Sequence, residues 1–203
     1  MSMVLRKPAV TEPLWLEWAA LAGLLAFGTW LLGVRGVWAL LLNADPTGIT
    51  AVIIVVFAGS TLWCGRRIST LQREGPAWAD DYVADLLRAP RDTAAPLDLL
   101  MERTHGPHAT AWWVNGIQLK LGLLGKVIGF SMLALQIGQI QNFDPSQSQE
   151  LLKSLTAGLG VALLTTMVGL VGNILLGLQL TRLDRFADGI VADAQRRGLG
   201  VAA

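Results

Sequence analysis

The chain has few charged residues, a single cysteine and only two histidines. Charged residues make up 15% of its 203 positions, against about 25% in an ordinary soluble domain. The lone Cys64 cannot build a disulfide framework, and one cysteine with two histidines cannot assemble a Cys/His zinc cluster within one chain. The formal net charge of +1 gives no general attraction to nucleic acid. These absences argue against a disulfide-rich domain, a zinc protein and a nucleic-acid-binding protein.

Motifs of enzymes are also missing from the sequence. It contains no His/Cys/Asp cluster, nucleophile elbow or phosphate-binding loop, so we expect no enzyme, no metal and no cofactor. His105 and His108, in the stretch ERTHGPHAT, are expected in a solvent-facing loop. Loop histidines of this kind can bind metal or sense pH but usually do neither. Cys64 is interpreted as a small buried residue, because a catalytic thiol would need an activating base.

Apolar residues, in contrast, are abundant and occur in long runs. Hydrophobic residues make up 53% of the chain, and the mean hydropathy is +0.50. A helix needs roughly 20 mostly apolar residues to cross about 30 Å of hydrocarbon. Runs of this kind lie at about 14–34, 49–65, 116–140 and 155–180, the second being short. We therefore predict an all-α integral membrane protein with four transmembrane helices. Whether residues 36–42 extend the first span stays open.

The sequence between and after these runs predicts three regions. Residues 1–65 hold the amino-terminal membrane helices, 66–111 a small cytoplasmic helical segment, and 112–203 the last two spans with a carboxyl-terminal helix. Short helical pieces are expected at about 78–87 and 97–103, because prolines interrupt the middle segment. Apolar residues recur every three or four positions after the fourth span. The last helix is therefore expected to continue into water; the alternative is an amphipathic helix lying on the bilayer surface.

Basic residues near the ends of the spans predict the orientation of the chain. One side of a four-span arrangement carries Arg6, Lys7, Arg66, Arg67, Arg73, Arg182, Arg185, Arg196 and Arg197. The other side carries Arg35 and Lys153. Because cytoplasmic loops are enriched in lysine and arginine, both termini and residues 66–111 are predicted to be cytoplasmic.

Small and polar residues recur at helical spacing within the third and fourth spans. They are Gly122, Gly125, Gly129, Lys126 and Gln136 in the third span, and Gly158, Ala162, Thr165, Thr166, Gly169 and Asn173 in the fourth. One interpretation is close helix packing, since small residues let helix backbones approach in lipid. The other is a pore lining. The sequence alone leaves both open.

Lys126 is the most informative of these residues. Inserting an ionisable group this far inside a membrane span costs several kcal/mol of free energy. The Lys126 side chain should therefore face the bundle interior, a watery cavity or a carboxylate. The alternative is that its side chain extends to the cytoplasmic boundary. Spans two to four contain no aspartate or glutamate that could pair with it. A carboxylate on a partner chain is therefore expected.

Two segments resemble a known family of membrane proteins. They are LGLLGKVIGF at 121–130 and AGLGVALLTTMVGLVGNILLGLQ at 157–179, which look like the two pore-helix signatures of MotA/TolQ/ExbB proteins. The resemblance covers roughly residues 112–188. It implies a pentamer around a pore in a bacterial inner membrane, enclosing helices of a one-span ExbD/TolR/MotB-like partner, normally present in two copies and carrying an intramembrane Asp. Such proteins couple proton flow to rotation. A non-conducting scaffold of the same fold is the alternative.

The resemblance also assigns roles to individual residues. Thr166 matches the family's pore threonine, while Gln136 and Asn173 are expected along the ion pathway with Thr165 and Lys126. Two positions depart from the pattern. Val161 stands where the TolQ/ExbB branch often has a glutamate, and Lys126 stands where threonine is usual. The second departure puts ordinary proton conduction in question.

Overall fold

The computed structural model describes residues 14–88, 94–138 and 145–202, which form five α-helices and no β-strand. The helices are α1 (Leu14–Val34), α2 (Val37–Ala44), α3 (Ile49–Arg88), α4 (Ala94–Gly138) and α5 (Pro145–Ala202). The prediction of an all-helical chain is confirmed.

Four of these helices, α1, α3, α4 and α5, are long and apolar enough to cross a membrane. Many of their large apolar side chains are exposed, including Leu24 at 67%, Val55 at 70% and Leu135 at 69% of full exposure. An exposed surface this apolar is typical of contact with lipid or with another apolar surface. The helices therefore indicate a multi-pass membrane protein, as the four apolar runs predicted.

The end of α1 answers the question about residues 36–42. Gly36 has a φ of 71°, in the left-handed region that glycine adopts readily, and its N–H donates to Gly33 O at 3.0 Å. The chain then starts α2, a separate helix of 8 residues. Residues 37–44 consequently do not extend the first span.

A carboxylate caps the start of α3. Asp45 is buried, and its two oxygens accept hydrogen bonds from Thr47 N at 3.0 Å and Thr50 N at 2.7 Å. Burial alone would raise the pKa of this carboxyl, but the hydrogen bonds from Thr47 and Thr50 outweigh it and hold the pKa below its usual value. The carboxylate thus satisfies backbone donors at a helix end, which have no partner within the helix itself.

Residues 78–87 and 97–103 are helical, as predicted, but they are parts of the long helices α3 and α4 and not short separate pieces. Pro76 lies inside α3 and Pro107 inside α4, and both helices continue through them. An internal proline removes one helical hydrogen bond, but packing onto another helix can offset that loss. Gly75, next to Pro76, lies so close to Ile190 of α5 that an added Cβ would be 2.7 Å from the Ile190 Cδ1.

The continuous helices are longer than a bilayer is thick. α3, α4 and α5 contain 40, 45 and 58 residues, or about 60, 68 and 87 Å at 1.5 Å per residue. Each exceeds the roughly 30 Å of the hydrocarbon core. Part of each helix must therefore lie outside that core if the helix crosses the membrane.

Contacts between residues divide the described chain into two units. The apolar unit comprises Gly23–Thr61 and Trp112–Leu178, and the charged unit comprises the described parts of Met1–Ala22, Leu62–Ala111 and Gln179–Ala203. The core of the charged unit is built from Ala79, Tyr82, Leu100, Val191 and Ala194.

Ion pairs on the surface of the charged unit join residues that are distant in sequence. Arg103 pairs with Asp81 at 2.9 Å, and Arg197 pairs with Asp80 at 2.9 Å. All four side chains are well exposed, so these pairs add little stability. The helices of the charged unit are therefore held together mainly by its buried core and not by these ion pairs.

Candidate functional site

In the apolar unit, α4 and α5 are in close backbone contact along the stretch that carries the resemblance. A Cβ built on Gly129 would lie 2.7 Å from Ala162 N and 2.8 Å from Gly158 O. One built on Gly125 would lie 2.5 Å from the Thr165 Cβ. Such distances leave no room for a side chain. All six residues predicted for helix packing lie in this contact: Gly122, Gly125, Gly129, Gly158, Ala162 and Gly169.

The spacing of the contact residues explains why the two helices meet along this line. On α4 they are residues 115, 118, 122, 125 and 129, and on α5 they are residues 158, 162, 165, 169 and 172. Alternating steps of three and four keep residues on one side of a helix. With glycine or alanine at most of these positions, the backbones approach closely enough for helix association in lipid.

The two threonines of this contact use their hydroxyl groups within the chain. Thr165 is fully buried and donates to Val161 O at 2.8 Å, so it bonds its own helix. Thr166 is half-buried. Its Oγ1 lies 2.8 Å from Ala162 O and 3.3 Å from Gly122 O of the facing helix. The hydroxyl has a single hydrogen and can donate a good hydrogen bond to only one of these carbonyls. Its oxygen lone pairs remain able to accept a hydrogen bond from a further group.

Two buried amides within this contact were not predicted from the sequence. Gln118 is fully buried, and neither its amide nitrogen nor its amide oxygen has a hydrogen-bond partner among the described residues. Its Oε1 lies against Gly172, where an added Cβ would overlap it. Asn115 O accepts from Asn173 Nδ2 at 3.0 Å, while the Asn115 side-chain oxygen has no such partner. Asn115 and Gln118 continue the spacing of three and four residues that leads to Gly122. This spacing is the sequence signal that could have placed them on the contacting side of α4.

Lys126 is exposed and lies outside the α4–α5 contact. Its neighbour Gly125 packs on Thr165, so Lys126 is at the level of the threonines along the helix pair. None of the ion pairs found in residues 14–88, 94–138 and 145–202 includes Lys126. The structure thus places this lysine on the surface of the chain, where its side chain is open to a group outside the chain.

Gln136 lies apart from the threonines, at a cavity of about 650 Å³. The cavity is also lined by Asn43 of α2 and by Lys153 and Val161 of α5. The Gln136 Oε1 is buried and has no hydrogen-bond partner in the described chain. The predicted ion-pathway residues therefore fall into three places: Thr165, Thr166 and Asn173 in the helix contact, Lys126 on the surface and Gln136 at this cavity.

The histidines are placed differently from the expectation. His105 and His108 are both on α4 in the charged unit, not in a loop, because the helix continues through Pro107. His105 Nε2 lies 3.1 Å from an oxygen of Asp188, and His108 Nδ1 lies 2.7 Å from an oxygen of Asp184. Only 3% of the His108 side chain is exposed. The two histidines, which were predicted to face solvent in a loop, therefore link α4 to α5.

Arg67 of α3 completes this cluster. Its Nε lies 3.5 Å from His108 Nε2, and its Nη2 lies 2.5 Å from Arg103 O and 3.1 Å from Thr104 O. Burial lowers the pKa of His108 below its usual value, and this outweighs the hydrogen bond and the charge of Asp184, which act in the opposite direction. Among the described residues, no group of three or more His, Cys, Asp or Glu is arranged to hold a metal ion.

Comparison with protein-family models, with curated proteins and with solved structures finds no match to the chain. The resemblance to MotA/TolQ/ExbB proteins therefore rests on the two segments quoted above. What it implies about activity and partners is a proposal.

Proposed function

We propose that the chain is a stator and channel subunit in a bacterial inner membrane, coupling proton flow to movement relative to a one-span ExbD/TolR/MotB-like partner. In this proposal five copies surround a pore that encloses two copies of the partner. The termini and residues 66–111 lie in the cytoplasm, in keeping with the arginines near the ends of the spans.

The α4–α5 contact is the observation that carries this proposal. The residues that give the two segments their resemblance meet one another there, with Gly122, Gly125 and Gly129 packed against the helix that carries Thr165 and Thr166. Two segments that resemble paired pore helices are thus a pair in this chain as well. An oligomer can then present Thr166 and the exposed Lys126 together to a central axis.

Lys126 would interact with the partner's aspartate in this proposal. A lysine surrounded by lipid costs several kcal/mol, so its exposure on an apolar helix favours an acidic group outside the chain. An intramembrane Asp of the partner has the required charge. The ion pair would form with one subunit at a time and pass to the next as the partner moves.

Proton flux in liposomes tests this proposal, using the chain purified together with its partner. Lys126→Thr and Lys126→Ala are expected to lower partner-dependent flux about tenfold, as when an interaction of about 1.4 kcal/mol is lost. Lys120→Thr is the matched control, because Lys120 is also exposed on α4 and should leave flux unchanged. Unchanged flux in both Lys126 variants would remove this lysine from the mechanism.

A non-conducting scaffold of the same fold is the second candidate function. The hydroxyl groups of Thr165 and Thr166 both bond carbonyls of the chain itself, as helix packing alone would require. A scaffold would assemble with the partner and give no partner-dependent proton flux. The liposome measurement therefore separates the two candidates.

A further inference from the structure

We propose that His108 is the pH-sensitive element of a clasp that joins α3, α4 and α5 in the charged unit. The clasp consists of Arg67, His108 and Asp184, one residue from each helix. It depends on the geometry of these three side chains and not on the stator proposal. Either proposal can therefore fail without the other.

The hydrogen bonds determine which form of His108 fits the clasp. An arginine Nε is only a donor, so the His108 Nε2 that faces Arg67 at 3.5 Å must be an acceptor. A neutral imidazole has one N–H, which is then on Nδ1 and points to the Asp184 oxygen at 2.7 Å. Neutral His108 therefore satisfies a partner on each side.

Protonation of His108 breaks this arrangement. The added proton goes to Nε2, so two N–H donors and two positive charges would face each other at Arg67. The Arg67 Nε must then turn away from His108, and this movement weakens the hydrogen bonds that Arg67 Nη2 donates to Arg103 O and Thr104 O. Because Arg67 is the residue of α3 in the clasp, acid is expected to loosen α3 from α4.

The other charged and titratable groups around His108 do not remove this conflict. The thiol of Cys64 on α3 is buried near Asp184. On α4 the neighbouring group is His105, whose ring centroid is 5.7 Å from that of His108. Asp184 of α5 supplies the negative charge, but it already accepts the Nδ1 hydrogen of neutral His108.

His105 lacks this conflict, although it also pairs with an aspartate. Its Nδ1 lies 2.8 Å from the Thr104 hydroxyl, and its Nε2 lies 3.1 Å from the Asp188 carboxylate. The Thr104 hydroxyl can donate its proton to Leu100 O at 2.8 Å and accept from His105. Both nitrogens of a protonated His105 would then have an acceptor. His105 is therefore an internal control for His108.

The direction of the pH effect follows from linkage. Burial lowers the pKa of folded His108 below its ordinary value of 6.5, so the unfolded chain binds this proton more tightly. The contribution of neutral His108 to stability is fully present above about pH 6.5 and is lost as the pH falls through the lower pKa of the folded protein.

The protonation of His108 can be observed directly, because the chain contains only two histidines. We would label the full-length protein with ¹⁵N-histidine, reconstitute it in bilayers and record imidazole nitrogen signals from pH 8 to pH 5. The variant His105→Gln assigns the remaining ring to His108. We expect neutral His108 with the proton on Nδ1 at pH 7. A charged ring, or a proton on Nε2, at that pH would refute the clasp.

Thermal unfolding at pH 7.5 and pH 5.5 tests the consequence for the protein. The wild-type melting temperature is expected to fall by several degrees at the lower pH. His108→Gln keeps a donor and an acceptor but does not titrate in this range, so it should lose most of this fall, whereas His105→Gln should keep it. An equal acid-induced fall in all three proteins would contradict the proposal. If His108→Gln does not fold, the nitrogen signals of the wild-type protein still decide it.

Discussion

At the residue scale, Thr165 and Thr166 show how adjacent positions on one helix acquire different chemical capacities. Thr165 is fully buried under Gly125, and its hydroxyl bonds Val161 O of its own helix. Thr166 lies at the edge of the contact, half-buried and within reach of a carbonyl on each of two helices. Only Thr166 can present its hydroxyl to a group outside the chain without leaving the helix contact.

Because of this difference, the same substitution is expected to change proton flux at one position and not at the other. Thr166→Val, which keeps the shape and removes the hydroxyl, should lower partner-dependent proton flux severalfold while the complex still assembles. Thr165→Val is the matched control and should leave flux near the wild-type level. Both are measured in the liposome assay, with assembly checked by co-purification of the partner. Full activity of Thr166→Val would mean that the hydroxyl serves only packing.

At the scale of elements, the α4–α5 pair depends on glycines that admit a second backbone. Gly129 and Gly122 face backbone atoms, which cannot rotate away as the end of a long side chain can. A Cβ on Gly122 would lie 3.0 Å from Thr165 O, and one on Gly129 would lie closer still to Ala162 N. A small side chain added here must separate the helices.

Gly129→Ala is therefore expected to destabilise the folded chain by about 1–3 kcal/mol, the usual effect of overpacking. Gly116→Ala and Gly160→Ala are the controls on the same two helices, because a Cβ at either position meets nothing within 4 Å. Those two changes should be neutral or slightly stabilising, since alanine favours helix over glycine. Unfolding in detergent measures all three, and a Gly129→Ala protein as stable as the controls would show that the helices can move apart freely.

At the scale of the whole molecule, the distribution of basic residues and the four apolar helices predict an orientation that fusions can test. Green fluorescent protein fused after Ala203 should fluoresce, because that end is predicted to be cytoplasmic. Alkaline phosphatase fused after Asn142, between α4 and α5, should be active, because that segment is predicted to lie outside. Exchanging the two reporters is the control, and it should abolish both the fluorescence and the phosphatase activity. An active phosphatase after Ala203 would reverse the orientation.

The sequence by itself determined the helical class, the four apolar helices and two of their ends. These are local properties: α1 ends at Val34 and α3 begins at Ile49, where the predicted runs end and begin, because apolar composition and helix-ending residues act over a few neighbouring positions. The small residues at steps of three and four lie on the contacting sides of α4 and α5, although the sequence alone left helix packing and a pore lining open. Helix continuity through Pro76 and Pro107 was not predicted, because the cost of a proline is local and the packing that offsets it is not.

Only the tertiary structure decided where the polar side chains are and what they touch. It placed Lys126 on the surface and revealed the buried amides of Asn115 and Gln118. It also brought His108 to Arg67 and Asp184, which lie 41 and 76 residues away along the chain. Hydropathy and spacing describe one helix at a time, whereas burial and hydrogen bonding depend on which helices are neighbours and on the rotation of each about its axis.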